Sequence, residues 1–542
     1  MGWPRLSHAF RTSSFRLTLA TLATAALGSC GGGGGDPGVS VFGSAGTSNG
    51  GSSSSGSSGG SSGNSSALPA SSSLAEQCAA PRPAGTIDQI TGNAYGDTQG
   101  SLATEKAFLR SWIDETYLWY QDVRALPAAT LNATRYATPL DYFNALKTPL
   151  LDAAGQPKDK FHFTYDTVAW DNLSLAGISY GYDFSMALVS ATPPRSAIVA
   201  YIDDGAAMGQ GNIARGAAIL TVDDVDLANG SDVATLNAGL FPTTGGTHTL
   251  TVQDLGSATT RTVTVTAQPV TETPVQNVKT FPVPNDHVGY MLFNDHIATA
   301  EKELVAAINL LKNAGVTDLV LDLRYNGGGY LDIASELAYM IAGPNLTTAA
   351  GAFFEREIYN NRNPFGLTAA QATTDFHATG QGFTVATDQA LPFLGLSRVY
   401  VLTTADTCSA SEAIVNGLRG AGITVNLIGG TTCGKPYGFF PKDNCSTTYF
   451  AIQFQGVNNA GFGDYPDGFT PTCAVADDFA HALGDPAEAQ LNMALGYRAS
   501  STCTPAMGSA AHTLAASGAR APRTSPVLVR NPFRENRILR PN

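Results

Sequence analysis

Three short stretches bring together a hydroxyl, an amine and clustered glycines. Ser409 and Ser411 stand in "CSASE", residues 408–412, where an apolar, helix-like run begins. Lys435 lies 26 residues after Ser409, between Gly434 and Pro436. Gly327, Gly328 and Gly329 follow "DLRYN", residues 322–326. A serine hydroxyl becomes a nucleophile when a neighbouring base takes its proton. A lysine in a turn normally faces solvent and stays charged. Once desolvated, its neutral amine becomes accessible near neutral pH and can act as that base. Glycines at a strand–helix junction let the backbone approach a ligand and aim helix N–H groups at it, which suits an oxyanion or a phosphate. No Gly-Lys-Ser or Gly-Lys-Thr follows the glycines, so a Walker loop does not fit. Ser409-x-x-Glu412 is also a capping box, a purely structural device. On these residues alone, both readings stand.

The elements that must position these groups follow from pattern. From about residue 277, apolar strands such as "VGYMLF", "TDLVLDLR", "SRVYVLTT" and "ITVNLIGG" alternate with amphipathic helices. That alternation predicts an α/β domain over 273–503. Each of the three stretches follows a predicted strand, where open α/β sheets place their sites. Residues 172–272 change to short strands with Gly-rich turns and predict a β-domain. Residues 78–171 read as helical. "EKAFLRSWIDETYLWYQDV" predicts one amphipathic helix with Phe108, Leu109, Trp112, Ile113, Tyr117 and Leu118 on its core face, and "PLDYFNALKTPL" a second.

The chain of 542 residues carries a net charge of −13, a poor balance for binding nucleic acid. Arg5, Arg11 and Arg16 precede a short apolar run, Leu17 to Leu27, too short to span a bilayer and typical of a secretory leader. It ends in "LGSC", which resembles a bacterial lipobox with Cys30 as the lipidated residue. The expected product is an exported, membrane-anchored lipoprotein on a periplasmic face or the cell surface. Gly31 in place of Asp favours the outer membrane. Residues 31–77 are mostly Gly and Ser and predict a flexible tether. Its span would be about 35–40 Å on average. Ser61 there fits a Gly-x-Ser-x-Gly pattern but lacks the flanking strand and helix that such a nucleophile needs. Residues 504–542 are rich in Arg and Pro and are expected to be disordered, with at most a short strand.

Cys78, Cys408, Cys433, Cys445, Cys473 and Cys503 form an even set in a chain expected to be exported, so disulfides are expected. Six cysteines allow fifteen pairings. Cys433 with Cys445 could clamp a hairpin, Cys78 with Cys503 could tie the ends of the body, and Cys408 could steady the loop beside Ser409. The chain has no Cys-x-x-Cys and no His-Glu-x-x-His, so no metal or other cofactor is expected.

Taken in order, the motifs resemble those of the C-terminal processing (tail-specific) serine peptidase family, including its tricorn-core-like relatives. "DLRYNGGGY" resembles the family's D-L-R-x-N-x-G-G phrase, "CSASEA" its S-A-S-E phrase and "GKPYG" its Gly-Lys turn. "FGDYPDGFTPT", "FLRSWIDETYLWY" and "DKFHFTYD" resemble further family segments, and the likeness covers roughly residues 100–475. The resemblance implies a ClpP/crotonase-like α/β peptidase domain, an N-terminal helical domain and a PDZ-like β-domain inserted in or preceding the peptidase part. It implies Ser409 as nucleophile, Lys435 as general base and Glu412 as a residue ordering the dyad. Oxyanion donors would be the Ala410 N–H and that of Gly328 or Gly329. In the PDZ-like part, the Gly177–Phe184 stretch would be a carboxylate-binding loop, with Gly177, Tyr180, Gly181 and Tyr182 near a peptide substrate. Two features depart from the family's best-known branch: Pro436 follows the lysine, and Phe439 stands where Gln is common. Two alternatives remain: a non-catalytic surface lipoprotein that binds peptides through the PDZ-like part, and a hydrolase using His296, His377 or His481 as base.

Overall fold

The apolar runs after residue 277 build a six-stranded sheet. Its order is Val275–Thr280, Val288–Phe293, Asp318–Asp322, Arg398–Thr403, Thr424–Gly429 and Cys473–Ala474. The first pair is antiparallel and the others are parallel. Every residue of Val288–Phe293 and Asp318–Asp322 is buried, as expected for parallel strands covered on both faces. Helices Ala300–Asn313, Leu331–Ala342 and Ala410–Gly420 connect the strands. Because three neighbouring strands run parallel, the loops after Asp322, Thr403 and Gly429 emerge at one edge of the sheet. The fold is therefore mixed α/β, as the alternation predicts.

This computed structural model describes residues 68–506, apart from 89–90, 154, 191–192, 204–205, 207 and 283–286, together with 527–528 and 537–538. The leader, Cys30, Ser61 and most of the tether lie outside the described residues. Among the described residues no helix is long and apolar enough to cross a membrane.

The N-terminal region differs from its expected form. The single long helix breaks in two, Leu102–Thr116 and Tyr120–Arg124, because Tyr117 adopts an extended conformation. Its hydroxyl then donates to the buried carboxylate of Asp159 at 2.6 Å. Phe108, Leu109, Trp112 and Ile113 are buried on the first helix, as the stripe predicts. The second helix, Pro139–Ala145, begins with Pro at its first position and a Thr138–Asp141 capping box. Strand Phe163–Asp166 then leaves this region and pairs with Thr447–Phe450, past the lysine loop. This pairing sews the N-terminal part onto the α/β body.

Residues 178–271 form an antiparallel β-domain. Its strand order is Phe184–Ser190, Ser196–Ile202, Ala218–Val222, Gly246–Gln253, Arg261–Thr271 and Ile178–Gly181, and Val233–Leu240 is its helix. Tyr182, Phe184, Val199, Leu236, Leu250 and Val265 lie in its core. The Gly177–Phe184 stretch, expected as a carboxylate-binding loop, is strand over Ile178–Gly181. This strand pairs with residues 268–271, and Tyr182 is buried with its hydroxyl donating to Gly239 O at 2.8 Å. Apolar packing of Tyr182 outweighs an exposed role for it. Tyr180 remains exposed.

All six cysteines pair, but not as the hairpin clamp and the end-to-end tie would have it. Cys78 bonds to Cys445, Cys408 to Cys433 and Cys473 to Cys503. Cys433 lies 5.2 Å from Cys408 between Cα atoms, because the loops that follow adjacent parallel strands are neighbours. Three disulfides fit an oxidising, extracytoplasmic compartment.

Helix Leu331–Ala342 is buried all round and carries Glu336. Burial, followed by the charge of Glu301, pushes the Glu336 carboxyl up to about 10. The unfolded chain releases this proton near 4.5 and the folded chain keeps it until about 10, so stability declines as pH rises between those values. Glu336→Gln has no proton to lose. Thermal unfolding should show it several degrees more stable than the parent at about pH 8–9 and no more stable near pH 4. Parallel pH curves would rule out a protonated Glu336.

Candidate active site

Ser409 caps helix Ala410–Gly420 at φ 59° and ψ −110°. A residue with a Cβ rarely adopts this conformation, and holding one there costs on the order of 1–3 kcal/mol. The turn is held from three sides. The Cys408 N–H donates to Asn326 O at 3.0 Å, and Ser411 Oγ donates to the same carbonyl at 3.0 Å. The Ser409 N–H donates to Glu412 Oε2 at 3.0 Å, which is the backward half of the capping box. Ser409 has no exposed area.

Glu412 is the junction between serine and lysine. It is fully buried, and desolvation raises its carboxyl above the usual range while its hydrogen bonds oppose that rise. Its oxygens accept from Thr432 Oγ1 at 2.5 Å, the Gly434 N–H at 2.9 Å and the Lys435 N–H at 2.8 Å. Glu412 thus grips the lysine loop by its backbone. The Cys408–Cys433 bridge joins the same two loops covalently, one residue before Ser409 and two before Lys435. Thr432 Oγ1 also accepts the Phe469 N–H at 2.7 Å, which locks the "PDGF" segment against this turn. Gly434 sits at φ 85°, and a Cβ there would lie 2.2 Å from Pro466 O. Only glycine fits at this position.

Lys435 has no exposed area, and its Nζ lies 4.7 Å from the Phe161 ring centre and 4.9 Å from that of Phe439. Phe161 is supplied by the N-terminal region, two residues before the strand that pairs with Thr447–Phe450. Phe439, the departure from the family pattern, therefore forms part of the lysine's apolar surround. A cavity of about 240 Å³ opens beside this turn, lined by Leu150, Leu151, Phe161, Gly434, Tyr437 and Pro466.

The glycine loop is organised by Asn326, which sequence reasoning left out although it stands inside the quoted phrase. Asn326 Oδ1 accepts the Gly328 N–H at 2.9 Å and lies 2.9 Å from His296 Nδ1, while its Nδ2 donates to Phe293 O at 2.9 Å. Because the Gly328 N–H is engaged, Gly329 is the better oxyanion candidate of the two. Gly329 sits at φ 140°, and a Cβ there would meet His296 O at 2.4 Å. The Ala410 N–H opens the serine helix and is one of its donors without an intrahelical acceptor.

Behind the loop, Arg324 is fully buried. It donates to Asp322 at 3.0 Å, to Asp477 at 2.8 Å and through two nitrogens to Glu488 at 2.8 Å each. Arg215 of the β-domain reaches Tyr325 Oη at 2.6 Å and Asp477 Oδ1 at 3.0 Å. The β-domain is thereby keyed to the residue next to Asn326.

The three histidines considered as bases stand differently. His296 is fully buried, and burial lowers it to about 3, so it stays neutral and is a feeble base at ordinary pH. His377 lies 3.1 Å from Asp332, and His481 is largely exposed on Asp478 at 2.7 Å.

Residues 287–449 match the profile described as peptidase family S41, and residues 104–165 match that of the peptidase S41 N-terminal domain. Residues 287–449 are thus similar to an S41 peptidase domain. A carboxyl-terminal-processing protease of Picosynechococcus sp. is 30% identical over 219 residues, which is 40% of this chain and 45% of that protein. The similarity thus spans less than half the length of this curated relative. A Bacteroides fragilis chain described as an S41 protease shares the fold, with TM-score 0.54 and 22% identity over 73% of this chain and 97% of that one. A photosystem II D1 C-terminal processing protease aligns at 18% identity over 73% of this chain and 100% of its own, with TM-score 0.43. The S41 match begins at residue 287, after the β-domain, and contains all three loops of the site.

The Glu412→Gln variant tests the junction. Gln is of similar size but turns one acceptor into a donor, so at least one buried N–H or O–H faces another donor. An unsatisfied buried group of this kind costs about 1–3 kcal/mol. Denaturant unfolding should show a loss of that order, and unchanged stability would remove Glu412 as the clamp.

Proposed function

We propose that this chain is an exported serine endopeptidase that hydrolyses peptide bonds of protein substrates through a Ser409–Lys435 dyad. One observation carries the reading: Glu412 and the Cys408–Cys433 bridge hold the serine turn and the lysine loop together, with both residues buried. Ser409 Oγ attacks the carbonyl carbon, and its proton passes to the neutral Lys435 amine. Burial favours the neutral amine beforehand. The Phe161 and Phe439 ring faces accommodate the ammonium formed. Negative charge on the carbonyl oxygen is met by the N–H groups of Ala410 and Gly329. Lys435 returns the proton to the departing amine, leaving an acyl group on Ser409. Water then attacks that ester, with Lys435 again as base. Glu412 acts as a positioning residue. The cavity beside the lysine turn, where Leu150, Leu151 and Phe161 stand with Asp152, Lys158 and Lys160, supports room there for a substrate side chain.

The antiparallel β-domain serves as a PDZ-like module that takes substrate peptide along a strand edge. Its hydrogen bonds from Arg215 to Tyr325 and Asp477 support a link between that module and the glycine loop. Lipidation at Cys30 anchors the chain to a membrane, with the outer membrane favoured by Gly31.

Ser409→Ala and Lys435→Ala should each reduce kcat/KM on casein-derived peptides by about 10³-fold or more, with the melting temperature held within a few degrees. Glu412→Gln should lower kcat more than it raises KM. Full turnover in Ser409→Ala would overturn the dyad. Peptide binding without turnover or Ser409 labelling by a serine-reactive probe would support the non-catalytic alternative.

A further inference from the structure

Two dipeptides near the end of this sequence are seated on the parts of the molecule that the proposed peptidase would use. Val527–Leu528 adds antiparallel to the outer strand Phe184–Ser190 of the β-domain, with Val527 opposite Leu188 and Leu528 opposite Ala187. This strand directly follows the Gly177–Phe184 stretch, and without the added pair it would be the sheet's edge. Arg537–Ile538 pairs in parallel with Gly329–Tyr330, the backbone assigned to the oxyanion, and also lies against Tyr437–Gly438, two residues after Lys435. The second dipeptide therefore lies between the glycine loop and the lysine loop.

We infer that the tail, through the pairings of Val527–Leu528 and Arg537–Ile538, covers the surfaces a substrate peptide would use and holds the peptidase in check. This rests on the dyad reading above. Backbone pairing on a free strand edge is how extended peptides are captured without demanding a particular sequence. Charge favours the docking. Residues 504–542 hold six arginines against one glutamate, within a chain whose net charge is −13. Covalent attachment strengthens it further: Val527 follows Cys503 of the Cys473–Cys503 bridge by 24 residues, and a tethered peptide competes at an effective concentration of about millimolar.

The test compares the full chain with its Leu528→Pro/Ile538→Pro double variant. Proline removes a backbone donor at each of the two pairings. On a quenched peptide substrate, the variant should gain at least fivefold in kcat/KM, and a synthetic peptide of residues 524–542 should inhibit it competitively. An unchanged kcat/KM together with no inhibition at 200 µM peptide would overturn the inference. If neither chain turns over any substrate, it is the peptidase reading that fails. Fluorescence anisotropy of the labelled 524–542 peptide then decides the docking. Binding to the double variant at least tenfold tighter than to the parent sustains it, and equal affinity overturns it. Hydrogen exchange on the unaltered chain is a control that needs no variant. The excess synthetic peptide should leave protection at 184–190 unchanged if the edge is already filled, and should raise it if the edge is empty, which would overturn the inference.

Discussion

A buried carboxylate must find donors for its oxygens or it is too costly to keep. Glu412 stands in the first turn of the serine helix, where the helix end favours negative charge but solvent is absent. Its donors are the N–H of Ser409 on one side and Thr432, Gly434 and Lys435 on the other. Those groups can meet at one carboxylate only when the lysine loop lies across the start of the helix. The requirement to satisfy one side chain therefore places Ser409 beside the Lys435 loop. The disulfide between Cys408 and Cys433 spans the same gap, so covalent and hydrogen-bonded constraints agree.

A second buried charge system supports the opposite side of the site. Arg324 is surrounded by Asp322, Asp477 and Glu488, and Glu488 also caps helix Ala489–Ser500. Breaking such a network by removing one partner leaves charge uncompensated, at a cost of about 3–5 kcal/mol. Arg215 extends the network into the β-domain through Asp477 and Tyr325. The glycine loop sits between these charges and the serine turn, tied to the latter by the Asn326 carbonyl.

Much of this was readable beforehand because it depends on local pattern. Continuous apolar runs marked the parallel strands, and the helix stripe of Phe108, Leu109, Trp112 and Ile113 faced the core. The errors arose where a distant partner decided the outcome. Tyr117 left its helix to reach Asp159, Ile178–Gly181 became a strand against residues 268–271, and Cys433 turned to Cys408 instead of Cys445. Asn326 went unremarked because its role is to bond three separate segments, which a linear reading does not bring together. The tail, expected to hold at most one short strand, contributes two described pairings.

By itself, the sequence determined the element types, the mixed α/β class and the identity of the residues offered for chemistry: Ser409, Lys435, Glu412 and the glycines. These follow from periodicity, from glycine's freedom and from residue chemistry, all properties of neighbouring residues. Only the tertiary structure decided that Lys435 is enclosed by Phe161 and Phe439, that Gly328 is committed to Asn326, and that the tail reaches Gly329. Burial and hydrogen-bond satisfaction depend on which segments meet in space, and segments almost three hundred residues apart, such as those of Phe161 and Lys435, meet only when the fold closes.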